Sequence, residues 1–225
     1  MRIERTSRAG RPSRSSGATS TAGGGGVTID VQLGTFDVTN DVNGIPGYPA
    51  DIEAGDTLIA SIFAVSANST NDIATPSGWT KQGFFAGNLH GHWIFTKVAD
   101  GTETGTQTFA FSADASSTAG IIARVRNAAF QQAQIGSINQ SWTAPAITTT
   151  TIGGLLTFVW NNGNQTAVAI STAAEGDEIL DQVATAQKTA AVVFRLTDAI
   201  GVQTPAAGSI TGNNAVRSAA SVEIG

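Results

Sequence analysis

From residue 27 onward the chain is a succession of short apolar runs with the two-residue period of β-strands. Val27-Thr28-Ile29-Asp30-Val31-Gln32-Leu33 alternates cleanly, and further runs cover 58–65, 93–96, 108–111, 121–125, 155–160, 191–196 and 219–224. Clusters of Gly, Asn, Asp and Ser separate them. The nearest approach to an amphipathic helix is 167–174, and its Ile170-Ser171-Thr172 centre fits a strand equally well. The pattern predicts an all-β fold.

The strands fall into two similar halves, about 50–127 and 148–225. Leu58-Ile59 aligns with Leu155-Leu156, Gly78-Trp79-Thr80 with Gly176-Asp177-Glu178, and Ile122-Ala123-Arg124-Val125 with Ser221-Val222-Glu223-Ile224, at offsets of 97, 98 and 99. One face of each half needs a cover, and the other half supplies it. The expected architecture is an antiparallel β-sandwich of the jelly-roll kind, a single domain over 27–225. Residues 127–151 look strand-like and are expected to cross between the sheets. A chain this long buries roughly 70% of its unfolded surface, so core size is no obstacle.

Residues 1–26 read differently, as an extended basic arm closed by a glycine joint, Gly23 to Gly26. Arg2, Arg5, Arg8, Arg11 and Arg14 recur every third residue, which a polyproline-II strand would align along one edge. Against the lone Glu4 they give this stretch +4, leaving −9 on the remainder of a chain whose net charge is −5. Such an arm suits a carboxylate-lined groove on an assembly partner. An acidic body excludes a nucleic-acid-binding domain, and no specific nucleic acid is expected.

Other classes drop out on composition. No run of 18 apolar residues exists, so no membrane span is expected. The N-terminal stretch lacks the apolar segment of a secretory signal. With no cysteine there is no disulfide, thiolate metal site or cysteine nucleophile. Two histidines and no readable nucleophile–histidine arrangement give no support for an enzyme, and no cofactor is expected.

Three strings carry a resemblance. Thr75-Pro76-Ser77-Gly78-Trp79-Thr80 is followed by Val98-Ala99-Asp100-Gly101-Thr102-Glu103 and by Thr108-Phe109-Ala110-Phe111-Ser112. Together with Ala54-Gly55-Asp56 before and Ala123-Arg124-Val125-Arg126 after, they resemble a β-domain common in tailed-bacteriophage virion proteins, over roughly residues 50–130. The second half resembles it only in pattern, Gly-Trp having become Gly176-Asp177. The resemblance implies capsid decoration, a head fibre or a tail-associated fibre, and no enzyme activity. In it Pro76 and Gly78 set a turn, Trp79 plugs the core, Asp100-Gly101 makes a tight connection, and Glu103 caps it.

Four further features are candidate sites. His90-Gly91-His92 places two imidazoles on one face of a strand, a candidate metal pair around a trimer axis against a polar hairpin tip. Asp37, Asp41 and Asn43 before Gly44, with Asp51 beyond, give half of a calcium loop, which Asx turns explain more simply. Glu175, Asp177, Glu178 and Asp181 form an acidic cluster that could receive a basic arm. Of the four tryptophans, Trp142, between Ser141 and Thr143, is the candidate glycan contact.

The expected function is therefore an accessory structural protein of a tailed-phage virion. Its arm binds the major capsid protein or another virion protein, and its body forms a homo-oligomer, a trimer by preference. Residence on the capsid surface is favoured over the tail. The alternatives are a short tail or collar fibre that binds host surface glycans, and a carbohydrate-binding module.

Overall fold

The computed structural model of the chain describes residues 17–21, 28–38, 43–66, 72–87, 89–111, 115–138, 141–162, 170–172, 178–184, 188–197, 199–203, 206–210 and 216–225. The described residues form strands and connections without a helix. In the first half lie β1 (Gly17–Thr21), β2 (Thr28–Leu33), β3 (Thr57–Ser66), β4 (Thr80–Ala86), β5 (His90–Val98) and β6 (Ala115–Arg126). The crossing region holds β7 (Phe130–Ser137), β8 (Ser141–Thr143) and β9 (Ile147–Thr149). Then come β10 (Gly153–Asn162), β11 (Ile170–Thr172), β12 (Glu178–Ala184), β13 (Lys188–Thr197), β14 (Gly201–Gln203), β15 (Ala207–Ile210) and β16 (Val216–Ile224).

The chain is all-β and its sheets are antiparallel. One sheet has the order β1-β2-β6-β3-β5-β4 and a second the order β12-β13-β10-β16-β7. Two smaller sheets, β11-β15-β8 and β14-β9, complete the set. Side chains of both larger sheets share one buried cluster, with Ile29, Val31, Phe63, Ile94 and Ile121 from the first and Leu156, Phe158, Trp160, Val192 and Val222 from the second. Phe63 and Trp160 stack there at 6.2 Å.

The other face of each larger sheet is also covered. On the first, Leu58, Ala60, Ile62, Trp93 and Phe95 lie under Trp79 and Phe109. On the second, Val159, Ala191 and Ala219 lie with Trp142, Ala144 and Ala206. This double burial explains why β3 and β10 read as nearly unbroken apolar runs, while β4, an edge, alternates exposed and half-buried residues. Apolar contact on both faces needs an apolar side chain at every position.

Two departures from the sequence pattern have physical causes. The alternating run 108–111 forms no strand; Phe109 and Phe111 make isolated bridges to Gly44 and Ile73. It crosses the outer face of the first sheet, and its period marks every second side chain turned toward that sheet: Phe109 is fully buried against Trp79 and Phe95. The crossing region 127–151 is three separate strands: β7 edges the second large sheet, while β8 and β9 join the two small ones. At the other end, Gly17–Thr21 pairs with β2, from Gly17↔Gln32 to Thr21↔Thr28.

Candidate functional site

The residues of the family-like strings lie in connections at the margin of the first sheet. The Trp79 N–H donates to the Pro76 carbonyl at 3.1 Å, closing a turn that carries Gly78 at φ +80°. The Trp79 indole is buried, and its Nε1–H points to Gln107 Oε1 at 3.3 Å, an oxygen that also accepts from the Tyr48 hydroxyl at 2.8 Å. Gly101 sits at φ +85°, a conformation that an L side chain resists. The Glu103 carboxylate accepts the N–H groups of Asp100 and Gly101, both at 3.0 Å, and pairs with Lys97 at 2.8 Å. Burial works to raise the Glu103 pKa, but the Lys97 and backbone donors hold it below its ordinary value.

Beside these turns the outer face of β6 carries an ionic clasp. Arg124 reaches Asp30 and donates to the Asp51 carbonyl at 3.2 Å. Arg126 donates to the same carbonyl at 2.7 Å, to both Asp56 oxygens at 2.9 Å, and lies 3.0 Å from Glu53. Asp51 stands at φ 55°, which presents its carbonyl to both guanidinium groups. Burial opposes ionisation of Asp56, and the Arg126 hydrogen bond overrides it, so the Asp56 pKa is lowered and that of Arg126 raised.

Two adjoining hollows of about 450 and 530 Å³ open next to the clasp. They share Thr57, Val98 and Ala129; one extends over Thr80, Gln82, Thr96 and Lys97, the other to Arg126 and Asn127. The lining mixes hydroxyl, amide and apolar side chains with the charged Lys97, Glu53, Asp56 and Arg126, and Val98 is 71% exposed. Such a surface offers hydrogen bonds and modest apolar contact to a polar ligand.

His90 and His92 both lie on β5, and their surroundings differ from those of a metal pair. His92 is fully buried, with Nε2 2.8 Å from Ser61 Oγ and Nδ1 2.9 Å from Ser218 Oγ. Trp160 Nε1–H donates to Ser61 Oγ at 2.8 Å, and the Ser218 hydroxyl to the Gly136 carbonyl at 2.8 Å. One directional chain satisfies every group: indole N–H to Ser61, Ser61 O–H to Nε2, Nδ1–H to Ser218, Ser218 O–H to Gly136. Burial pushes the His92 pKa down to about 3, so the ring is neutral. His90 packs between Phe63 and Phe85, and burial lowers its pKa also. With both nitrogens of His92 engaged inside the core, the pair presents no outward ligand set. Among the described residues no group of three or more His, Cys, Asp or Glu side chains is placed to hold a metal ion.

Two other ionisable groups tie the second half together. Glu223, 1% exposed, accepts the N–H groups of Thr150 and Thr151 at 2.6 and 2.8 Å, their hydroxyls at 3.2 and 3.0 Å, and Gln132 Nε2 at 2.7 Å. Burial raises its pKa, but these donors outweigh it and the net shift is downward. Lys188 on β13 is buried and donates to the Thr118 carbonyl of β6, linking the two large sheets. Burial drives its pKa down to about 8, against the pull of Asp37.

The remaining sequence candidates are placed as follows. Trp142 is 1% exposed beneath the strands that cover the second sheet, so the ring face on which a sugar would stack is enclosed. Its polar sequence neighbours made it look exposed, and of these Thr143 does face outward. Asp37 is buried and accepts the Ile45 N–H at 2.6 Å, and Asn43 accepts the Phe111 N–H at 3.3 Å, so both serve the local backbone. Asp41, the five leader arginines, Glu175 and Asp177 lie outside the described residues; Glu178 and Asp181 fall on the edge strand β12. The clasp, the His92 chain and Glu223 were not legible as sites. Their only signal is a polar or charged residue inside an otherwise apolar strand.

Comparison of the chain with protein-family models, with curated proteins and with solved structures gave no match.

Proposed function

We propose that this chain is a non-enzymatic accessory structural protein of a tailed-phage virion, a capsid decoration, cement or head-fibre protein. In this reading its body is a jelly-roll-like β-sandwich of two pseudo-repeated halves, and its arginine-bearing leader binds the major capsid protein or another virion protein.

The repeat is supported by strand order. β2-β6-β3-β5-β4 corresponds to β7-β16-β10-β13-β12. Bulges fall at matching places, between Lys81 and Gly83 and between Ile179 and Asp181. Leu58 pairs with Lys97 and Arg124, and Leu155 pairs with Arg195 and Glu223, which reproduces the offsets of 97 to 99. The family-like strings of the first half support the virion setting.

The observation that carries the functional reading is the division of charge. A +4 leader runs into the edge of a body that carries −9. Each exposed arginine–carboxylate contact contributes little and weakens with salt, so attachment gains strength from many arms acting together. The test is to image particles carrying the full chain and a variant lacking residues 1–16, which keeps β1. Label at lattice spacing over the head, lost in the truncated variant, is the expected outcome. Undiminished incorporation of the truncated chain overturns the anchoring role, and label confined to the tail overturns decoration.

The second reading is a short tail or collar fibre that binds host surface glycans. The open polar groove around Thr57 and Val98 favours it, with Trp142 taking no part. Loss of cell binding in Val98→Arg would support it.

A further inference from the structure

We propose that β1 is an exchangeable strand: Gly17–Thr21 of one copy pairs with the β2 edge of a second copy of this chain and carries the basic leader with it. This goes beyond the virion reading and does not depend on it.

Four observations converge. The two large sheets correspond strand for strand over five positions, and β1 is the sixth strand, outside that frame. Its sequence, Gly-Ala-Thr-Ser-Thr, contains no side chain larger than threonine, so the ladder to β2 carries its attachment. Strand β2 does not need β1 to stay in place. It is anchored by Ile29, Val31 and Leu33, each essentially buried, and by its pairing with β6 on the other side. Finally, β1 and β2 are joined by six residues, 22–27, four of them glycine. That is longer than the common hairpin loops, and its composition specifies no tight turn.

Energetics then favour exchange when copies are crowded. The β1–β2 ladder has the same register within a chain or between chains, so its free energy nearly cancels. What remains is the entropy of closing the loop against the entropy of association. Local concentrations in the millimolar range bring these terms together. Electrostatics cancel in the same way, because each −9 body keeps one +4 leader at its edge in either form. An unpaired β2 edge is an open template for strand addition, and identical copies supply the matching strand.

The test uses the absence of cysteine in the full chain. Thr21 and Thr28 are Cα partners in the ladder. T21C and T28C chains carrying tags of different size are mixed at high concentration and oxidised. The expected result is a disulfide-linked heterodimer, several-fold above either variant alone and rising with concentration. The double variant T21C/T28C reports the same pairing at low concentration as an intrachain bond. A second variant lacks Gly23 to Gly26, leaving only Ala22 and Val27 between the strands, neither of which favours the positive φ that a two-residue hairpin turn needs; it should be dimeric or larger by light scattering, with an unchanged far-ultraviolet β signal. The proposal is overturned if the mixture gives no more heterodimer than each single variant gives homodimer on its own. It is equally overturned if the shortened variant stays monomeric and folded, or if the double variant forms no bond at all.

Discussion

Arg124 lies opposite Leu58 in the first large sheet, and Glu223 lies opposite Leu155 in the second. Both hold down the segment that crosses the outer face of their own sheet, and they do so with opposite charges. Arg124, helped by Arg126, grips the carbonyl of Asp51 and the carboxylates around it. Glu223 grips the N–H groups and hydroxyls of Thr150 and Thr151. The position demands a long side chain that can reach past the sheet; its sign follows from whether the crossing backbone turns carbonyls or N–H groups inward. The covers differ too. The first is packed with aromatic rings, Trp79, Trp93, Phe95 and Phe109, and the second relies on alanines around Trp142. Bulk fills the first interface and close approach the second.

The first cover should therefore respond most to truncation. Phe109→Ala removes a fully buried ring that contacts Trp79 and Phe95, and it should cost about 3–5 kcal/mol in the denaturant midpoint. A loss below about 1 kcal/mol would show that the rings cover the sheet without bearing on its stability.

The second cover should fail at its clasp. Glu223→Ala leaves the Thr150 and Thr151 N–H groups unmet beside a 1%-exposed position, for a loss of about 3 kcal/mol. Arg124→Met should lose less, about 1–2 kcal/mol, because Arg126 still holds the Asp51 carbonyl and Asp30 is partly open to water. Equal losses would break the contrast between the two clasps.

Where the sheets meet, the asymmetry is titratable. His92 of the first sheet bonds to Ser218 of the second, and burial holds its pKa at about 3 against 6.5 unfolded. The unfolded chain therefore takes up the proton first. Stability is intact above pH 6.5 and falls as pH drops from there toward 3, by up to about 1.4 kcal/mol per unit. Chemical denaturation between pH 7 and 5, above the carboxylate range, should show this slope. His92→Gln should flatten it, and His90→Gln should remove the part due to the half-buried His90 ring. An unchanged slope in His92→Gln would place the acid sensitivity elsewhere.

Much of the fold was readable because strand period is a local property. Val31 and Leu33, or Ile121 and Ala123, announce their face by spacing alone. What alternation conceals is whether the opposite face is also covered. Arg124 and Glu223 stand at positions that would face solvent in a one-sided sheet, and here each is buried. Trp142 shows the same limit, since its polar neighbours describe the outer side of a three-residue strand and say nothing of what β8 lies upon. The stretch 108–111 has strand period without a strand ladder, because crossing a sheet also turns alternate side chains inward. The candidate site was less legible than the fold, since ion pairs such as Arg126–Asp56 join residues 70 positions apart.

The smallest effect separates two buried indoles. Trp160 and Trp142 are each 1% exposed, and both replacements by Phe remove similar ring area. Trp160 Nε1–H donates to Ser61 and begins the hydrogen-bonded chain through His92, whereas Trp142 Nε1 has no partner among the described residues. Trp160→Phe therefore leaves Ser61 without its donor and shortens a connected network. Trp142→Phe removes a buried N–H that already bears its desolvation cost. The difference between the two losses should be about 1–2 kcal/mol, with Trp160→Phe the larger. Ser61→Ala in each background sharpens the reading: it should couple to Trp160→Phe and add independently to Trp142→Phe. Equal losses, or coupling to both, would mean that the inner and outer faces of the second sheet respond as one unit.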